Sequence, residues 1–123
     1  MIQPIRALVV DDYPDAAEAL ARVLETLGCT ANFVTDSRMA MDAAAAMDPQ
    51  VVFIDIGMPE INGFELAAIL RCRYGESIRL VAATAYGGTA VHTKCREAGF
   101  DSHVLKPVDK ERLGRALCGF SDS

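Results

Sequence analysis

No apolar run in this chain approaches the ~18–20 consecutive residues that a helical membrane span needs. The opening MIQPIRALVVDD also lacks a charged lead followed by a hydrophobic signal core. These two absences predict a soluble, cytoplasmic protein with no membrane partner. A basic excess is missing too: 12 Lys and Arg stand against 17 Asp and Glu, for a formal charge of −5. A domain that grips a nucleic-acid backbone needs the opposite balance and a basic recognition element, so nucleic acid is excluded as a partner. The four cysteines, Cys29, Cys72, Cys95 and Cys118, form no C-x-x-C pair and read as reduced packing or surface residues. His92 and Cys95 make an H-x-x-C pair, yet zinc requires a tetrahedral ligand set that nothing nearby completes. Linkers, repeats and low-complexity stretches are absent apart from the alanine run 43–46, which reflects helix propensity. At 123 residues the chain therefore reads as a single domain over 1–123, too short for a two-domain enzyme, with a frayed tail at 119–123.

What is present is a regular alternation. Residues 5–10 (IRALVV) are a short, nearly unbroken apolar run ending at two acids, the pattern of a strand buried on both faces of a parallel sheet. Pro14 and Asp15 then open a segment with Ala16, Leu20, Val23, Leu24 and Leu27 at helical spacing, and Gly28 suits the left-handed residue that ends a helix. The rest repeats this rhythm: strands near 31–34, 51–54, 80–83 and 103–105, helices near 37–47, 63–71, 89–98 and 109–117. Five βα units of this kind predict an α/β, flavodoxin-like, doubly wound five-stranded parallel sheet of order 2-1-3-4-5 with five helices, (βα)5. In that topology ligands bind beyond the C-terminal ends of the strands, at the switch point between strands 1 and 3.

The residues at those strand ends carry chemistry. Strand 1 delivers Asp11 and Asp12, strand 3 Asp55, strand 4 Thr84 and strand 5 Lys106. Crowded carboxylates repel and call for a cation among them. An all-oxygen ligand set, including any carbonyl from the loop after Asp55, favours a hard ion, Mg²⁺ before Ca²⁺. Lys106 adds a mobile positive charge. The set matches phosphoryl transfer, with Asp55 as nucleophile, Lys106 and the cation neutralising charge, and Thr84 donating a hydrogen bond. Each residue taken singly reads equally well as a loop residue or a helix cap. It is their coincidence at the ends of the right strands that points to a site.

At these residues the sequence resembles the response-regulator receiver domain of two-component and phosphorelay signalling. VVDD stands at strand 1, FIDIGMPEINGFE surrounds Asp55, a Thr closes strand 4, and AGFDSHVLKP covers strand 5. The resemblance implies that Asp55 is the phosphoacceptor, Asp12 a direct Mg²⁺ ligand, Asp11 a ligand largely through water, and the Gly57 carbonyl the backbone ligand. It implies that Thr84 and Lys106 contact the phosphoryl group and report its arrival. It further implies a histidine kinase or histidine phosphotransfer protein as donor, and a downstream protein bound through the helix 4, strand 5, helix 5 face. Such a domain is a signalling phosphoacceptor and not an enzyme, since it catalyses only its own phosphorylation and dephosphorylation. One departure stands out: the family's switch aromatic, three residues before the Lys, is His103 here. Gly57 and Tyr86 fall where the family tunes phosphoryl lifetime, although Tyr86 can equally be a packing residue over its loop. TAYGG together with AGFDSHVLKPVD is closest in flavour to receivers of hybrid histidine kinases.

Three other functions compete. A flavin-mononucleotide carrier shares the fold, but DDYPD offers negative charge where a phosphate cradle wants backbone donors. A hydrolase with an aspartyl-phosphate intermediate needs a second acid as general acid, and Ile56 and Gly57 follow Asp55 instead. A receiver-shaped interaction module that works without phosphorylation is the remaining alternative.

Overall fold

Short runs of β-branched and small apolar residues form one parallel sheet in the order β2-β1-β3-β4-β5. The computed structural model describes residues 4–56, 63–84, 89–106 and 109–117, apart from the side chains of Thr89, Val91 and His92. Along the chain run β1 (Arg6–Val10), α1 (Pro14–Thr26), β2 (Thr30–Val34), α2 (Ala40–Met47), β3 (Val51–Asp55), α3 (Gly63–Tyr74), β4 (Arg79–Thr84), α4 (Thr89–Ala98), β5 (Ser102–Leu105) and α5 (Lys110–Ala116). Short 3₁₀ turns, Ser37–Met39 and Gly75–Ser77, precede α2 and follow α3.

The period-two alternation of a strand sorts side chains between two helical layers. Leu8, Val10, Val52, Ile54, Leu80 and Ala82 face one way, against Ala40 and Ala44 of α2, Leu66 and Leu70 of α3, and Cys95 of α4. Val9, Phe53, Val81, Ala83 and Val104 face the other way, against Ala17, Leu20 and Leu24 of α1 and Leu113 of α5. Because both faces are covered, residues 7–10 and 51–54 are wholly buried, as their unbroken apolar character predicts. Each fully buried large aliphatic or aromatic side chain contributes about 1.5–3 kcal/mol of transfer free energy. The inner stripe of α1 includes Ala17 and Ala21, small residues that let the helix lie close to the sheet.

Four of the boundaries that differ from the sequence reading have an identifiable physical cause. Asp55 and Thr84 are the last residues of β3 and β4 and do not follow them: their partners Ala83 and Leu105 continue the ladder. A 3₁₀ turn opens the second helix region, capped by Asp36, whose carboxylate accepts the Arg38 N–H at 2.9 Å. Helix α3 runs to Tyr74, a turn beyond the expected Arg71, because the Arg71 guanidinium reaches past the helix end. It donates to the carbonyls of Gly75 (2.6 Å), Ile78 (3.0 Å) and Gly99 (2.8 Å), and to Asp101 Oδ2 (2.7 Å), which also accepts the Leu80 N–H. One side chain thus ties the ends of α3 and α4 to the starts of β4 and β5. Gly28, at φ +93°, ends α1 in the left-handed region, as expected. The tail 119–123 and Cys118 lie outside the described residues.

Gly63 opens α3 directly against the strand that carries Asp55. A Cβ there would sit 2.5 Å from Ile56 Cα and 2.8 Å from the Asp55 carbonyl oxygen, both backbone atoms. Gly63→Ala is therefore expected to destabilise the fold by about 1–3 kcal/mol through overpacking. Gly114→Ala, inside α5 with nothing within 4 Å of the added Cβ, is expected to stabilise by about 0.5–1 kcal/mol. Urea unfolding of the two variants checks the opposed signs.

Candidate functional site

The parallel register brings the C-terminal ends of four strands to one rim. Val10 pairs with Ile54, Asp55 with Ala83, and Thr84 with Leu105, so the residues at or just past these positions converge. Carboxylate oxygens of Asp11, Asp12 and Asp55 all lie within 4.8 Å of one another. Lys106 joins them from the far edge of the sheet: its Nζ is 2.8 Å from Asp11 Oδ2 and 3.6 Å from Asp55 Oδ2. The side chains grade from buried to open. Asp11 is 4% exposed and Asp55 16%, while Asp12 faces solvent.

Asp11 uses both of its oxygens. Oδ1 accepts the Tyr13 N–H at 3.0 Å, turning the chain into α1, and Oδ2 accepts the Lys106 ammonium. Its own N–H donates to the Val34 carbonyl, which fixes the backbone between β1 and β2. Thr84 is buried, and its carbonyl accepts the Lys106 N–H at 2.7 Å. His103 is half-buried in β5, in register with Ala82 and in phase with Leu105, the residue level with Thr84. Gly57 and Tyr86 lie outside the described residues.

Partial burial by itself would push the Lys106 pKa down, but the hydrogen bond the ammonium donates to Asp11 and the charges of Asp11 and Asp55 outweigh it and hold it above 10.5. The ammonium is thus a fixed positive charge near neutral pH. It is one cation among three carboxylates, and such a donor set of oxygens fits a further hard cation such as Mg²⁺. Thiol chemistry has no place at this rim. Cys29 and Cys95 sit in the core, where burial raises their pKa and keeps them protonated, and so Cys95 cannot serve an H-x-x-C metal pair without leaving the core.

A comparison with protein families matches residues 7–117 to the response regulator receiver domain. The chain belongs to that family. Two of its relatives are different kinds of protein. "Hybrid signal transduction histidine kinase C" of Dictyostelium discoideum is 29% identical over 97% of this chain, which spans only 10% of the kinase. "Response regulator MprA" of Mycolicibacterium vanbaalenii is 33% identical over 89% of this chain, which spans 47% of that regulator. The flavour of a hybrid-kinase receiver is therefore present but not exclusive. Among solved structures, a CheY-like receiver domain from Methylobacillus flagellatus is similar at TM-score 0.82 and 30% identity, covering 94% of this chain and 97% of its own. The strand order and the acidic pocket are those of a two-component receiver.

Sequence reading missed the arginines of this receiver. Arg71 bridges helices, and Arg79, Arg112 and Arg115 line a groove beside β5. Their spacing spans three elements, so only the fold assembles them.

The raised Lys106 pKa has a stability consequence with a definite sign. Because the folded-state value lies above the model-peptide value of 10.5, the ammonium's contribution is complete below pH 10.5 and is lost as pH rises through the folded pKa. The stability gap between wild type and Lys106→Met is therefore expected to be constant from pH 8 to 10 and to narrow at higher pH. Denaturant unfolding of both proteins across that range measures it.

Proposed function

We propose that this receiver takes a phosphoryl group from a phosphohistidine onto Asp55 and uses it to switch a protein-binding surface. The observation that carries the reading is the convergence of three carboxylates within 4.8 Å with Lys106 bridging Asp11 and Asp55. The donor is a histidine kinase or a histidine phosphotransfer protein, in keeping with the hybrid-kinase relative.

In the step proposed, an Asp55 carboxylate oxygen attacks phosphorus, a P–O bond forms, and the P–N bond of the phosphohistidine breaks. The imidazole nitrogen leaves with the electron pair and the product is an aspartyl phosphate. Mg²⁺, when bound, supplies charge neutralisation on the transferred oxygens. Asp12, the most exposed carboxylate, is the direct ligand in this reading. Asp11, with Oδ2 on Lys106 and Oδ1 on the Tyr13 N–H, acts largely through water. Asp55 and the Gly57 carbonyl complete the set. The incoming phosphoryl competes with Asp11 and Asp55 for the Lys106 ammonium, and Thr84 donates its hydroxyl to a phosphoryl oxygen. Since the Thr84 carbonyl holds the Lys106 N–H, the two residues move together and bias the neighbouring surface, a shift of population and not a new fold.

That surface is the face built by α4, β5 and α5. His103 takes the place of the family's switch aromatic there, and Gly57 and Tyr86 tune the phosphoryl lifetime. No described helix is long and apolar enough to cross a membrane.

Intact mass after incubation with Mg²⁺ and acetyl phosphate is the decisive measurement. Wild type is expected to gain one phosphoryl group, with no gain for Asp55→Asn or in the presence of EDTA. Absence of the adduct under every condition would instead favour the interaction module that works unphosphorylated.

A further inference from the structure

β5 is the last strand of the sheet, and among the described residues it pairs with β4 and with no other strand. Open grooves flank it on both sides. One, of about 640 Å³, lies between β5 and α5 and is lined by Arg79, Ser102, His103, Leu105, Arg112 and Arg115. The other, of about 460 Å³, lies toward α4 beside Cys95, Arg96 and Phe100 and shares Ser102 and His103 with the first.

The charge of this edge runs against that of the molecule. The chain carries −5 overall, yet the larger groove gathers three guanidinium groups and a single carboxylate, Asp101. That carboxylate is already engaged, its Oδ2 accepting from Arg71 and from the Leu80 N–H. Arg115 is shared with Glu111 one turn back on the helix. The Arg112 guanidinium meets the Leu105 carbonyl at 3.3 Å and no carboxylate among the described residues.

We propose that the outer edge of β5 docks an extended acidic segment of a partner protein, which adds a strand to the sheet and sets its carboxylates on Arg79, Arg112 and Arg115. Main-chain hydrogen bonds to the edge supply affinity, and the guanidinium row supplies selection for acidic side chains. A guanidinium over a strand carbonyl also blunts an edge against self-association. For an acidic strand to add, Arg112 must turn from the Leu105 carbonyl to a partner carboxylate; a second copy paired edge to edge offers no such carboxylate and would bring like charges together. A small anion would use the arginines and leave the strand edge unused. The proposal rests on the reading of the α4, β5, α5 face as the output surface, and names the partner that face selects.

The test is a titration of ¹⁵N-labelled protein, followed by amide shifts, with a short acetylated peptide alternating Asp and Val. Its controls are the Lys-for-Asp peptide, an Asp peptide N-methylated at alternate residues, and free citrate. Shifts are expected at 102–105 and 110–116, with affinity for the Asp peptide about tenfold or more above that for the Lys peptide. N-methylation should abolish binding, and the double variant Arg112→Glu, Arg115→Glu should lose about tenfold or more. No shift, equal binding of the Lys peptide, or equal binding of citrate and the N-methylated peptide overturns the proposal. So do shifts of the same amides with protein concentration alone, which would place a second copy on the edge. Wild type and the double variant are assayed in parallel for the phosphoryl adduct: an intact adduct on a wild type that fails to dock the Asp peptide sinks this inference alone, whereas a missing adduct on wild type sinks the phosphoacceptor reading.

Discussion

The contact between Lys106 and Asp11 joins the two ends of the chain, and the rim of the receiver depends on it. Three carboxylates crowded within a few ångströms repel one another. The ammonium at 2.8 Å from Asp11 and 3.6 Å from Asp55 makes their company tolerable without cancelling it. What remains is a pocket short of positive charge, partly withdrawn from water, in which electrostatic attraction is stronger than at an open surface. A hard cation is the species such a field recruits.

The backbone around the rim is built to let those side chains approach. Parallel pairing sets the strand ends level, and the alternation of small and branched residues buries both faces of the sheet so that the ends cannot drift. Gly63 brings α3 within van der Waals contact of the Asp55–Ile56 backbone, where any larger residue would push the acid-bearing strand end. At the opposite end, Arg71 gathers carbonyls from the close of α3 and α4. The strands that bear Thr84 and Lys106 are thus tied together at their starts.

Much of this was legible from residue order. The apolar runs at 5–10 and 51–54 marked buried parallel strands, and the positions of Asp11, Asp12, Asp55, Thr84 and Lys106 at or beyond strand ends marked the site. That works because strand burial and strand-end chemistry are both local patterns. The misread boundaries are those decided by distant partners. Asp55 and Thr84 belong to their strands because neighbouring strands extend the ladder, and α3 outlasts its apparent end because Arg71 bonds to Gly99, far along the chain. The guanidinium row beside β5 had no signature at all, since Arg79 comes from β4 while Arg112 and Arg115 come from α5. Replacement of the family's aromatic by His103 was visible as a departure, and the structure places it half-buried on the strand that carries Lys106.

The distribution of the site along the chain also bears on how the molecule is made. During synthesis Asp11, Asp12 and Asp55 emerge early, and the compensating ammonium comes only with β5, near the end. A nascent chain collapsed through β4 would hold its acids together with nothing to neutralise them, so that intermediate is penalised until the last strand docks. The same long-range closure that makes the domain slower to assemble ensures that the acidic pocket with its ammonium exists only in a chain whose sheet is complete.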